Sequence, residues 1–361
     1  MKHRQETAAI TARVAALASA GRSAALATAI HVTGSAYRRP GAKFLIDDDG
    51  ATCGGVSGGC LEADVRSIAR EVIGTGAPRV LHYETGSDDR TIWGLGLGCN
   101  GSIDIFLQRA TSAPALDVLQ SVHHLLQHDP GRCAIATVID GADTGRAMLV
   151  DAHGLAHGSI GPDRDAAMSA IASLSVIDGH SRVIGGGAGT RVFVDVIAAA
   201  ARLIVCGAGD DARPLVACAA EVGFDVTVVD HRAALLTAER FPAAARLVSL
   251  RAGDDISALA MGPDTFAIVK THAFAGDREW VRAFVQAGAG YIGLLGPRAR
   301  REEIFGQIGV TAPQVFGPVG LDIGADGPEQ IAVAIVAEML AFRARRDARH
   351  LREKAETIHA V

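Results

Sequence analysis

The chain has 361 residues, of which 49% are hydrophobic and 21% charged, enough to bury more than one core and too many for one average domain. Lys plus Arg (35) against Asp plus Glu (40) gives a net charge of −5 with no large basic block, which argues against a protein built to coat nucleic acid. No apolar run reaches the ~18 residues a membrane span needs, because Arg22, Arg202 and Glu221 interrupt the most apolar stretches.

The start, Met1-Lys2-His3-Arg4-Gln5-Glu6, leads into an Ala-rich helical run without a small-residue cleavage site, so the chain reads as cytoplasmic. Six cysteines with no Cys-x-x-Cys pair do not make a disulfide framework. Cys206 and Cys218, set among Val, Leu and Ala, read as small buried hydrophobes. Aromatics are only 4% while glycines number 42, which implies an aliphatic core and many tight turns, as in α/β proteins with nucleotide-like ligands.

The first half repeats itself. Gly-Arg-Ser-Ala-Ala-Leu-Ala-Thr-Ala-Ile at 21–30 returns as Gly-Arg-Cys-Ala-Ile-Ala-Thr-Val-Ile at 131–139, each after a helical stretch. The frame Gly41, Asp47, Gly50, Gly54 returns as Gly145, Asp151, Gly154, Gly158. Each copy reads as helix, strand, strand, glycine turn, helix, strand, the copies covering about 5–110 and 114–198 of an α/β region spanning 1–199.

A repeat is an internal control: what both copies keep is scaffold, and what one alone carries is a candidate for function. Copy one continues Ser57-Gly58-Gly59-Cys60-Leu61-Glu62 and later Gly96-Leu97-Gly98-Cys99-Asn100-Gly101, whereas copy two has no cysteine at either place. A Ser-Gly-Gly-Cys run opening a helix exposes successive N–H groups and the positive helix end, which suits an anionic ligand and favours the Cys60 thiolate. Cys60 is therefore a candidate nucleophile or soft ligand, with Cys99 a candidate for the same pocket. Arg38, Arg39 and Lys43 offer cations for a phosphate. The alternative is that these glycines only make turns and the thiols are buried. The spacings of Cys53, Cys60 and Cys99 match no common zinc pattern.

In the second half, the buried-strand pattern Arg202–Cys206 runs into Gly207-Ala208-Gly209-Asp210-Asp211-Ala212, a helix from Pro214 to Val222, and a strand that ends in Asp230. This is the strand, glycine turn, helix, strand, acid order of a dinucleotide-binding unit. Asp230 would suit a ribose diol, and Arg232 beside it a phosphorylated ribose. Strand-like runs at 245–250, 266–270, 291–295 and 314–316 alternate with helices near 276–287, 297–308 and 328–342, predicting a Rossmann-like, doubly wound parallel sheet over 200–345. Thr271-His272 and Gly296-Pro297-Arg298 fall at strand C-termini, where ligand loops lie. Residues 346–361 read as a charged helical tail.

Taken together, these strings resemble the xanthine dehydrogenase accessory factor family (XdhC/CoxI). The resemblance runs from Gly34-Ser35-Ala36-Tyr37-Arg38-Arg39-Pro40-Gly41 through the two cysteine loops and Gly207–Leu215 to Asp230-His231-Arg232, Thr271-His272, Tyr291–Arg298 and Gly317–Ala325, across roughly residues 10–345. It departs at Ala273, where the family's common form has Asn or Asp.

The resemblance implies a maturation chaperone, more a binding and delivery protein than an enzyme. Such a protein holds the molybdenum cofactor (molybdopterin, or its dinucleotide form), supports its sulfuration by a cysteine desulfurase, and inserts it into an apo molybdenum hydroxylase. It implies Cys60 and Cys99 as the residues that hold molybdenum or handle its sulfur, a role soft thiolates suit. Arg38, Ser57, Gly58, Gly59, Glu62 and Asn100 are further cofactor contacts in the first half, and Gly207, Gly209, Asp210, Asp230, Arg232 and His272 in the second. A second copy of the chain is a candidate partner. The competing reading is an NAD(P)-dependent oxidoreductase that uses Gly207, Gly209 and Asp230, since a Rossmann-like fold alone does not say whether hydride moves.

Overall fold

Short apolar runs bounded by Gly and Asp form the strands, and the Ala-rich stretches between them the helices, in a computed structural model that describes residues 2–34, 38–84, 101–141, 143–186, 189–309 and 312–353. The described chain divides into two units, Lys2–Ala199 and Ala200–Glu353.

The first unit runs α1 (Lys2–Ser19), β1 (Ala24–Val32), β2 (Lys43–Asp47), β3 (Thr52–Gly54), α2 (Glu62–Thr75), β4 (Arg79–Glu84) and β5 (Ser102–Arg109). The series then returns as α3 (Ala113–His128), β6 (Cys133–Asp140), β7 (Ala147–Val150), β8 (Ala156–Gly158), α4 (Pro162–Asp178), β9 (Arg182–Gly185) and β10 (Arg191–Ile197). Both halves form antiparallel five-stranded sheets of one topology, β3-β2-β1-β5-β4 and β8-β7-β6-β10-β9, so the region is an α/β duplication. Where the sequence reads only a glycine turn, each copy has a short extra strand, and where it reads one strand after the second helix each copy has two. Gly54 and Gly158 end these strands with φ of 81° and 87°, and a Cβ on Gly158 would stand 2.7 Å from the Ala147 carbonyl oxygen of the neighbouring strand. The shared glycine frame is thus a requirement for close strand approach.

Each sheet buries both faces. Ala25, Ala27, Phe44 and Ile46 pack on Val65, Ala69 and Val72 of α2, and Ala136, Met148 and Val194 on Met168, Ala172 and Val176 of α4. The opposite faces pack on α1 through Leu26, Leu45, Ile10 and Val14 and on α3 through Ile135, Leu149, Val118 and Val122. The two sheets also meet directly through Ile30, Phe106, Ile139 and Phe193.

The second unit contains β11 (Ala201–Cys206), α5 (Ala212–Glu221), β12 (Phe224–Asp230), β13 (Arg246–Ser249), β14 (Thr265–Val269), α6 (Phe274–Gln286), β15 (Tyr291–Leu294), α7 (Arg298–Ile308), β16 (Val315–Phe316) and α8 (Pro328–Arg343). Its strands are all parallel, in the order β13-β12-β11-β14-β15-β16. Burial on both faces explains why they read as continuous apolar runs. One face packs on Leu215, Val216, Ile335 and Met339 of α5 and α8, the other on Trp280, Phe284 and Ile304 of α6 and α7. The unit is Rossmann-like and doubly wound, and strand order reverses between β11 and β14, the place where such sheets take ligands.

Beyond α8 the chain departs from the expected charged helix. Arg345 and Ala348 take positive φ, residues 346–350 are irregular, and a single 3-10 turn, Leu351–Glu353, follows. Described residues past Phe342 supply no apolar stripe to bury, and without one a short charged segment lacks what holds a helix in water.

Candidate functional site

In copy one, the loop between β3 and α2 is built around two side chains. Glu62, the first residue of α2, accepts the amides of Val56 (3.2 Å) and Ser57 (2.8 Å) and the hydroxyl of Ser57. The Ser57 hydroxyl oxygen accepts the amides of Gly59 (3.2 Å) and Leu61 (3.1 Å), and the Cys60 thiol points to it at 3.4 Å. Burial pushes the Glu62 carboxyl up, but the hydrogen bonds from Ser57 outweigh it and hold the group below its ordinary range.

Copy two repeats the clamp. Asp165 accepts the Ile160 amide (2.9 Å) and the Ser159 hydroxyl (2.7 Å), and that hydroxyl accepts the Gly161 amide (3.1 Å). Val56 and Ile160, both fully buried, anchor the two loops. Six positions separate Val56 from Glu62, but five separate Ile160 from Asp165. Copy one is thus one residue longer between anchor and acid, but its serine follows the anchor where the serine of copy two precedes it, so the clamp spans five positions in copy one and six in copy two, and copy one alone fills it with Gly58-Gly59-Cys60. Ser57 and Glu62 are engaged in holding that loop. Among the described residues the amides of Gly58 and Cys60 have no acceptor, and the thiol is half-buried.

The cations expected beside this loop are directed elsewhere. Arg38 makes a two-pronged pair with Glu6 of α1, and Lys43 is buried against Asp195 of copy two. Cys99 and Asn100 lie outside the described residues.

In the second unit the glycine turn follows β11. Gly207 has φ of 117°, and a Cβ there would lie 2.5 Å from the Lys270 carbonyl oxygen, so only glycine fits. The amides of Gly209, Asp210 and Asp211 at the start of α5 have no acceptor among the described residues, the arrangement that receives a phosphate. Arg240 holds the turn by donating to the Ala208 carbonyl (3.1 Å) and to Asp210 (3.0 Å).

Asp230, at the end of β12, has each carboxylate oxygen doubly occupied. Oδ2 accepts the Ala208 amide (2.8 Å) and Arg232 Nη2 (2.8 Å), while Oδ1 accepts the Arg232 amide (2.8 Å) and Nε (3.0 Å). Burial pushes this carboxyl up, and the hydrogen bonds from Arg232 and the Ala208 amide bring it far below the ordinary range.

His272 follows β14 with φ of 61°, an uncommon backbone for a non-glycine residue. Its Nε2 lies 3.0 Å from Asp211 Oδ2, and Lys270 Nζ lies 2.7 Å from Asp211 Oδ1. Burial pushes the Lys270 ammonium down against the pull of Asp211. Asp277 is buried and takes the Thr271 amide (3.1 Å) and hydroxyl (2.5 Å), together with Arg300 (2.6 Å).

Sequence reasoning missed Lys270, Asp211, Asp277 and Arg240. The available signal was a lysine ending an otherwise apolar strand, facing an acid in the glycine turn.

A cleft of ≈ 370 Å³ lies at these strand ends, lined by Gly207, Asp230, Arg232, Arg251 and Thr271 with apolar walls including Leu250 and Trp280. The structure thus gathers Gly207, Asp230 and Arg232 at one cleft, with Gly209, Asp210 and His272 in the adjoining turns.

Residues 17–84 match the XdhC and CoxI family, and residues 203–339 match the XdhC Rossmann domain. The chain belongs to the XdhC and CoxI family. An XdhC-type relative, a probable xanthine dehydrogenase subunit of Bacillus subtilis (strain 168), is 34% identical over 323 residues, 89% of this chain and 94% of that protein. The molybdenum cofactor insertion chaperone PaoD of Escherichia coli (strain K12) is 37% identical over 116 residues, 30% of this chain and 35% of its own. Among solved structures, a xanthine dehydrogenase from Bacillus halodurans superposes with a TM-score of 0.78 at 29% identity, covering 94% of this chain and 98% of that one. Among the described residues of this XdhC-type chain, no helix is long and apolar enough to cross a membrane.

Proposed function

We propose that the protein is a molybdenum-cofactor chaperone. It binds the cofactor, supports its sulfuration together with a cysteine desulfurase, and inserts it into an apo molybdenum hydroxylase. The observation that carries this reading is the loop at Cys60. Both copies of a duplicated scaffold hold this loop with a serine–acid clamp, and one copy alone fills it with Gly-Gly-Cys, leaving a half-buried thiol beside two unpaired amides. A soft sulfur donor next to backbone N–H groups fits a cargo that pairs molybdenum with a phosphate-bearing pterin. Cys60 would ligate the metal or carry sulfur, and the Gly58 and Cys60 amides would take an anionic oxygen. Cys99 and Asn100 join this site on the strength of sequence alone. The relatives' names support the reading, one an insertion chaperone and the other part of a xanthine dehydrogenase.

The cleft in the second unit favours a nucleotide, which suits the dinucleotide form of the cofactor and equally a second reading, NAD(P)-dependent oxidation. Molybdopterin released from protein expressed in a molybdenum-replete host, measured by mass spectrometry, tests the first. Wild type and Asp163→Ala in copy two should retain it, and Cys60→Ala should lose it. Equal retention by wild type and Cys60→Ala refutes the site. Turnover of a carbonyl compound with NADH or NADPH would establish the second reading instead.

A further inference from the structure

The Rossmann-type cleft carries more information than its fold does. In such units the acid that ends the second strand holds the two ribose hydroxyls of a dinucleotide. Here that acid is Asp230, and it has nothing left to offer. A carboxylate has about four acceptor positions, and Asp230 fills them with the Ala208 amide, the Arg232 amide, and Arg232 Nε and Nη2. A ribose diol could bind only by displacing Arg232 from a bidentate, charge-assisted pair. The remaining guanidinium nitrogen, Arg232 Nη1, carries N–H groups that the pair does not use.

The surroundings point the same way. Arg251, which follows β13, lines the cleft, and its guanidinium has no carboxylate partner among the described residues. His231 lines it too, 3.4 Å from Asp230. Asp230 is the one acidic residue of the lining, and Arg232 already neutralises it, so the ribose end of the cleft has surplus positive charge. Val229, Leu250, Ala252 and Trp280 supply an apolar wall for a base. The unpaired amides of Gly209 and Asp210 lie at the phosphate end.

We infer that this cleft binds a nucleotide whose ribose carries its own phosphate, with Arg232 and Arg251 on that phosphate, and that it discriminates against the same nucleotide with a free diol. The Asp230–Arg232 pair is the specificity element: Asp230 spends itself on aiming Arg232 rather than on the sugar. This deepens the nucleotide reading of the second unit and does not depend on Cys60 or on cofactor delivery. Loss of molybdopterin retention would leave it standing, and its own failure would leave chaperone function standing.

The test is calorimetric titration of the full chain with adenosine 2′,5′-bisphosphate and with 5′-AMP. Wild type should bind the bisphosphate at least about tenfold more tightly, the scale of one charge-assisted hydrogen-bonding contact. Arg251→Ala, a change at an exposed side chain, should reduce that ratio severalfold. Arg232→Ala should abolish it and strengthen 5′-AMP binding, because Asp230 is then freed to take the diol and to repel the phosphate. Circular dichroism melting confirms that each variant is folded. Equal affinity of wild type for the two probes, absence of saturable bisphosphate binding, or an unchanged ratio in the folded variants overturns the inference.

Discussion

Replacing Asp195 by alanine should destabilise the first unit more than any other single polar change in it. Asp195 lies on β10 of copy two, and its partner Lys43 on β2 of copy one; each side chain is only 4% exposed. The carboxylate also receives His3 Nε2 (3.1 Å) and Ser181 Oγ (3.4 Å). Without it, Lys43 keeps one acceptor, the Gly41 carbonyl at 3.1 Å, and remains a buried charge with no carboxylate beside it. Breaking one side of a buried pair costs about 3–5 kcal/mol, a large fraction of the roughly 5–15 kcal/mol that holds a domain folded.

The strand registers show why the pair matters to the duplication. Thr28 pairs with Lys43 in copy one where Thr137 pairs with Ala147 in copy two, and Leu26 pairs with Gln108 where Ile135 pairs with Asp195. The pseudo-equivalent of Lys43–Asp195 is therefore Ala147 and Gln108, so the charged lock exists on one side only. Replacing both partners together, Lys43→Met with Asp195→Leu, should recover most of the loss, since a buried pair is often no better than apolar residues of like volume. Guanidinium unfolding followed by circular dichroism, with amide exchange of β2 and β10 assigning the transition, reads both variants. A loss below about 1 kcal/mol for Asp195→Ala, or a double variant no more stable than the single one, would refute the reasoning.

Glu62 lies below its ordinary range in the folded loop, so the stability it contributes is present above the unfolded value of about 4.3 and is lost as pH falls through the lower folded one. Amide exchange at Val56 and Ser57, corrected for intrinsic rates, should show that protection disappear in acid, and protection unchanged by acid would contradict the clamp. Gly207→Ala should cost about 2 kcal/mol or more and abolish nucleotide binding, because its Cβ would lie 2.5 Å from the Lys270 carbonyl oxygen; a full-strength titration in that variant would count against the turn as the phosphate end. Tyr291→Phe should cost about 1–3 kcal/mol in denaturant unfolding. The buried phenol donates to Glu338, which would be left with the Gly320 amide at 3.0 Å.

What the sequence made legible was whatever depends on pattern. The repeat, the aliphatic strands and the glycine turn before α5 all show as spacing, and each strand and helix placed in the second unit forms within a few residues of its expected position. What it left dark depends on which partner a polar group chooses. Lys43 and Arg38 read as cations waiting for a phosphate, yet each meets a carboxylate distant in sequence, Asp195 and Glu6. Asp230 stands at the expected offset from the glycines, but offset cannot report that four donors already fill it. The repeat itself misled at one point, because Ser57 follows its apolar anchor Val56 while Ser159 precedes Ile160, which hid the shared pairing of Ser57 with Glu62 and of Ser159 with Asp165. Matched by hydrogen bond rather than by position, Ser57 and Glu62 become scaffold, and what copy one alone carries between them narrows to Gly58, Gly59 and Cys60. A variant that keeps the loop length and removes only the thiol, Cys60→Ala, should therefore keep the clamp and its exchange protection while losing cargo. Loss of both together would show that cysteine and clamp are one device and not a function laid upon a scaffold.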